Sequence, residues 1–178
     1  MKPPLQALTE LDQYGSRISL AVLQDWLART EISLGGLRPF LRFSPDHYVR
    51  NLMYAGPTYQ ALVLCWHSGQ RSPIHDHAGS SCAVKVVQGV ATETTFARAD
   101  NGMLYATGSR RLAAGDFCAS QDADVHQMSN LQPQGFELIS FHIYSPALVS
   151  MNMYSIVDAK VTRFFDPIND EFVSGAGI

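Results

Sequence analysis

The sequence predicts a mainly β fold, a jelly-roll-like β-barrel carrying an N-terminal helical cap. Three observations predict it. Helical periodicity is confined to residues 1–46. From His47 onward, short apolar runs recur at near-regular spacing with turn residues between them, the pattern of a sandwich or barrel. His75 and His77, one residue apart, are joined far along the chain by His126, as a barrel closed over one site requires. With 178 residues and 46% hydrophobic composition, the chain suits one domain with a sizeable core. Its parts are expected at 1–46 (cap), 47–163 (barrel with a metal site) and 164–178 (C-terminal tail).

In the cap, Ile18, Val22, Leu23, Trp26 and Leu27 recur at helical spacing, predicting a helix over 18–30 with Ser19 as its N-cap. Gly35-Gly36 is expected to break that pattern. A second short helix is expected over 37–43, ended by Ser44-Pro45. Strands are expected over 48–53, 60–66, 83–87, 91–96, 105–111, 116–120, 126–130 and 136–144, the third and fourth forming a hairpin across Gln88-Gly89. Residues 164–178 are expected to wrap the surface or lie loose.

Composition narrows the function classes. Thirteen basic residues stand against 16 acidic ones, a net charge of −3 with no basic run, which speaks against nucleic acid as a partner. No apolar stretch is long enough to span a bilayer, and no signal peptide is legible in MKPPLQALTELDQYG. Cys65, Cys82 and Cys118 form an odd set without CxxC spacing, so a reducing, cytoplasmic setting is expected. The chain is expected to be a monomer.

Two motifs carry the chemistry. Gly69, five residues, His75-x-His77, four residues, Cys82, six residues and Gly89 resemble the first cupin motif, with Cys82 where that motif has Glu. Gly115, five residues, Gln121-x-Ala123, two residues, His126, three residues and Asn130 resemble the second, with its Pro and Gly replaced. His75, His77 and His126 are therefore the expected metal ligands. Three neutral imidazoles leave a divalent metal its full charge and open positions, which suits an anionic ligand such as a thiolate. Ser140, His142 and Tyr144 alternate at strand spacing, so all three side chains should face inward as a hydrogen-bonded row that carries the Tyr144 hydroxyl towards the metal.

Taken together, Tyr48-Val49-Arg50-Asn51-Leu52, Leu64-Cys65-Trp66, Ser72 to His77 with Cys82, Val125-His126 and Ser140 to Pro146 make the chain resemble the cysteine dioxygenase family, from about Tyr48 to Tyr154. The resemblance implies one Fe(II) per chain on His75, His77 and His126, and oxidation of L-cysteine to cysteine sulfinate with O2. It places Arg50 at the position that grips the substrate carboxylate, a pairing that suits a guanidinium. Tyr48, at i−2, falls on the same face. Tyr144, His142, Ser140 and Cys82 are the expected catalytic group. Cys82 and Tyr144 match the positions that form a Cys–Tyr thioether in animal members, and a cis bond is implied at Ser145-Pro146. Two rival readings are a dioxygenase for 3-mercaptopropionate or another small thiol, with Gln60, Arg71, Arg98 or Arg163 contributing, and a non-catalytic Zn2+ or Ni2+ cupin with Cys82 as a fourth ligand.

Overall fold

Ser19 starts the main helix of the cap. Its hydroxyl accepts from the Val22 amide at 3.4 Å, and α2 (Leu20–Arg29) follows. In the computed structural model, residues 4–121 and 124–170 are described. Motif position Ala123 and tail residues 171–178 lie outside them. A short α1 (Pro4–Leu8) and a 3-10 turn (Thr9–Leu11) precede α2. The Trp26 indole N–H ties α2 back to the Ala7 carbonyl at 3.1 Å.

The second helix differs from expectation. Gly35 and Gly36 lie inside α3 (Leu34–Leu37), and Arg38–Phe40 continues it as a 3-10 turn, so the helical segment lies earlier than 37–43. The cause is a cap: the Ser33 hydroxyl accepts from the Gly36 amide at 3.2 Å and offsets the poor helix propensity of the glycine pair.

Eleven strands follow among the described residues: β1 (Val49–Ala55), β2 (Gln60–Trp66), β3 (Ser81–Gln88), β4 (Val90–Arg98), β5 (Leu104–Ala113), β6 (Phe117–Gln121), β7 (His126–Ser129), β8 (Leu138–Ser145), β9 (Met151–Tyr154), β10 (Val161–Phe164) and β11 (Ile168–Asn169). They form a six-stranded sheet in the order β11-β1-β2-β8-β3-β6, a three-stranded sheet β5-β4-β7 and the hairpin β9-β10. This is a jelly-roll-like cupin fold built of separate sheets rather than a continuously closed barrel. The expected β3–β4 hairpin is absent: β3 pairs with β6 and β8, and β4 with β5 and β7. The chain changes sheets at Gly89. There φ is +80°, and a Cβ would sit 2.5 Å from the Glu137 carbonyl, so only glycine fits the crossing.

The six-stranded sheet has two buried faces. Ala61, Val63, Cys65, Ile139, Phe141 and Ile143 pack under the helices with Leu23, Trp26 and Leu27. The alternate residues Leu62, Leu64, Trp66, Leu138 and Tyr144 face the interior between the sheets. Burial on both sides explains why β2 reads as an unbroken apolar run. The tail is not loose where it is described: β11 runs parallel to β1, with Arg50 opposite Ile168 and Asn51 opposite Asn169.

Candidate metal centre and substrate pocket

His75 and His126 are held together by their own backbones. Each amide donates to the other's carbonyl at 2.9 Å, although the two residues come from segments 51 positions apart in sequence (126 minus 75). His77 follows two residues after His75, and between them Asp76 turns the opposite way. The Asp76 carboxylate accepts from the Asn152 amide, the Asn152 side chain, the Tyr154 hydroxyl and the Ala78 amide. Burial pushes the Asp76 carboxyl up, but these four donors outweigh it and hold it below the ordinary value. The turn that aims both histidines inward is thereby pinned to β9.

The three imidazoles converge, with a nitrogen of each lying within 4.8 Å of the others. All three are buried. Each Nδ1 has its own partner: the Pro73 carbonyl for His75 at 2.9 Å, the Ser120 hydroxyl for His77 at 3.2 Å and the Glu93 carboxylate for His126 at 2.9 Å. That leaves the three Nε2 atoms as the converging donors, and the His77 Nε2 is buried without a hydrogen-bond partner. Burial, reinforced by His126, lowers His75 to about 3, and burial with the neighbouring imidazoles holds His77 well below its ordinary value. Neutral imidazole is the form that ligates a metal. An orphaned ring nitrogen, fixed Nδ1 partners and an all-imidazole donor set fit a divalent first-row transition metal with open positions. Among the described residues this trio is the one such cluster, and Cys82 is not part of it.

The trio lines a small cavity together with Tyr48, Arg50, Cys82, His142, Tyr144 and Asp166, among others. Arg50, on β1, is 2% exposed; its Nη1 donates to the Asp166 carbonyl at 3.0 Å and its Nη2 to the Leu148 carbonyl at 3.1 Å. Tyr48 stacks on Trp66 with ring centroids 4.2 Å apart and donates its hydroxyl to the Asp166 carboxylate. Burial raises the Tyr48 hydroxyl well above its ordinary value, and the Asp166 charge adds to it. Burial also raises Asp166, against the pull of Tyr48 and Arg50.

On β8, Ser140, His142 and Tyr144 form the expected row, and Trp66 extends it. Trp66 Nε1 donates to Ser140 Oγ at 3.0 Å, Ser140 Oγ lies 2.8 Å from His142 Nε2, and His142 Nδ1 lies 3.0 Å from Tyr144 Oη. Because indole only donates, Ser140 is left to donate to His142 Nε2. His142 then carries its hydrogen on Nδ1 and donates to Tyr144, which frees the phenol hydrogen for the cavity. Burial holds His142 well below its ordinary value and Tyr144 well above its own, so both stay neutral. Cys82 is directly opposite Tyr144 across the β3–β8 pair, a free buried thiol pushed up by burial. Ser145-Pro146 is cis.

The other residues weighed for the substrate do not line the cavity. Gln60 donates to the Leu148 carbonyl, Arg163 to Ser150, and Arg98 lies over the Tyr154 ring; Arg71 is exposed and bridges Ser129. Sequence reasoning missed Asp166 and Glu93. Neither belongs to a local motif; an acidic residue inside the β-branched run Thr92 to Thr95 was the one available hint for Glu93.

The profile of the family described as Cysteine dioxygenase type I matches residues 21–156. The chain belongs to the cysteine dioxygenase type I family, and with it to the thiol dioxygenases. Cysteine dioxygenase type 1 of Bos taurus is 30% identical over 138 residues, covering 74% of this chain and 68% of the bovine one. The Homo sapiens protein is 34% identical over 113 residues, covering 60% of this chain and 55% of its own, so the match spans little more than half of the human relative. TT1209 of Thermus thermophilus shares the fold, with a TM-score of 0.53 at 14% identity over 62% of this chain and 94% of its own. The matched segment of the family profile contains the three histidines, Arg50, Cys82, Glu93 and the β8 row; it stops before Asp166.

Proposed function

We propose that the chain oxidises L-cysteine to cysteine sulfinate with O2, using one Fe(II) held by His75, His77 and His126. The observation that carries the proposal is the meeting of three buried imidazoles, without a carboxylate ligand, with Arg50 and the Tyr144 row in one small cavity. Bound Fe(II) would supply the redox chemistry between O2 and the thiol sulfur, both oxygen atoms ending on sulfur, which takes the thiol to the sulfinate level.

The chain's own residues do the rest. Arg50 keeps one N–H on each terminal nitrogen after bonding the two carbonyls, a fork that suits the carboxylate of cysteine. Tyr48 lies on the same side; its hydroxyl donates to Asp166 and becomes a second donor to the substrate once a carboxylate takes that place. Trp66, Ser140 and His142 fix Tyr144 as a neutral donor aimed into the cavity, where it orients the oxidant against sulfur without an acid–base step of its own. Holding thiol and oxidant in one enclosed geometry supplies much of the acceleration. Cys82 stands where a bond from its sulfur to the Tyr144 ring would form with loss of two hydrogens to O2, fixing the phenol in place.

The test is oxygen uptake by iron-loaded protein with L-cysteine, 3-mercaptopropionate and cysteamine side by side. Uptake with L-cysteine matching sulfinate formed is the expected result. No uptake with L-cysteine from protein carrying one iron per chain sinks the reading, and native protein holding zinc or nickel with no iron favours the non-catalytic cupin.

A further inference from the structure

The tail brings a carboxylate to the place a substrate carboxylate would take. β11 is stitched to β1 by its parallel pairing and by the Asn169 side chain, which donates to Asn51 Oδ1 at 3.0 Å. Asp166 lies two residues before that anchor. Its side chain is 10% exposed and lines the same cavity as the three histidines. Its Oδ2 accepts from the Tyr48 hydroxyl and lies 3.7 Å from Arg50 Nη1. The two donors assigned to the substrate thus already share an internal anion.

We infer that Asp166 is a specificity-determining residue, a resident competitor that makes thiol carboxylates displace it from Tyr48 or share Arg50 with it. The inference rests on the reading of Arg50 and Tyr48 as the substrate-carboxylate site. The effect is one of charge. Arg50 alone would offer an incoming carboxylate an uncompensated cation in a cavity of low dielectric, where attraction is strong. With Asp166 beside it the pair is neutral, and the incoming carboxylate meets a like charge as well as an opposite one. A thiol carrying an amine and no carboxylate meets no such penalty. Asp166 therefore sets the balance among L-cysteine, 3-mercaptopropionate and cysteamine, against the two acids.

A purely positioning role has the opposite sign. If Asp166 only held Arg50 and Tyr48 in place, removing its charge would loosen the fork and weaken acid binding. The experiment uses the iron-loaded 178-residue chain, wild type, Asp166→Asn and Asp166→Ala. Binding of the three thiols is measured anaerobically by calorimetry, KM by oxygen uptake, and unfolding temperature checks that each variant is folded. The expected result is a roughly three- to tenfold tightening for L-cysteine and 3-mercaptopropionate in Asp166→Asn, with no gain for cysteamine. Unchanged or weaker binding of both acids in the folded variants overturns the inference. Because calorimetry needs no turnover, a wild type that binds thiols and consumes no oxygen would refute the dioxygenase reading while still testing Asp166.

Discussion

Glu93→Gln tests how much of the metal site lies behind the ligands. The Glu93 carboxylate is 4% exposed, with Oε1 at 2.9 Å from His126 Nδ1 and Oε2 at 2.5 Å from Arg110 Nε. Both partners are donors. Burial pushes the Glu93 carboxyl up, yet His126 and Arg110 together hold it below its ordinary value, so it stays a carboxylate. An amide of the same shape has one oxygen and one NH2 group, and it cannot accept from both sides. If its oxygen stays on His126, the ring keeps its tautomer and loses the negative charge that raises ligand basicity. If the oxygen turns to Arg110, the NH2 group forces His126 to accept at Nδ1 and to place its hydrogen on Nε2, where a metal would bind. Substitutions behind a ligating histidine cost about 10- to 100-fold in metal affinity, or about 1.4 to 2.7 kcal/mol. The assay is chelator competition for Fe(II), with Zn(II) as a redox-silent check, beside the rise in unfolding temperature that metal confers. The metal-dependent part of that rise should shrink with affinity. An affinity equal to wild type would refute the claim that this carboxylate governs His126.

Two further outcomes follow from the cavity wall. After aerobic incubation with iron and L-cysteine, a Cys82–Tyr144 thioether leaves the intact protein two hydrogens lighter, and Cys82→Gly abolishes that loss. Ser140→Ala strands the Trp66 indole N–H and the His142 Nε2 inside the core; urea unfolding should show a loss of about 2 kcal/mol, and oxygen uptake should fall because His142 no longer has a fixed tautomer to present to Tyr144.

What the sequence revealed follows from the range of the signals. The β8 row and the two faces of β2 are period-2 patterns within one strand, so Ser140, His142, Tyr144 and the long apolar run were legible directly. The histidine trio was legible because two members are near neighbours and the third lies in a second motif. The pairing of β3 with β8 instead of β4 was not. A Gly-containing turn between two strands reads as a hairpin, and only the packing of Gly89 against Glu137 reveals a change of sheet. Short elements such as β9 to β11 hold too few residues for a period to register, and they are stabilised by pairing with distant partners. Asp166 and Glu93 acquire their roles from tertiary contact alone: one reaches Tyr48 across 118 positions, the other His126 across 33.

Along strand β8, Ile139, Phe141 and Ile143 lie under the helices, while Ser140, His142 and Tyr144 occupy the opposite face, where His142 and Tyr144 line the cavity of the histidine trio. A slip of one residue along either neighbouring strand would turn three apolar side chains into the cavity and bury three polar ones beneath Trp26. Folding and chemistry therefore read the same parity, and neither can be satisfied without the other. Oxygen consumption by this chain would double as a readout of strand registration, silent in any compact state that pairs β8 out of step.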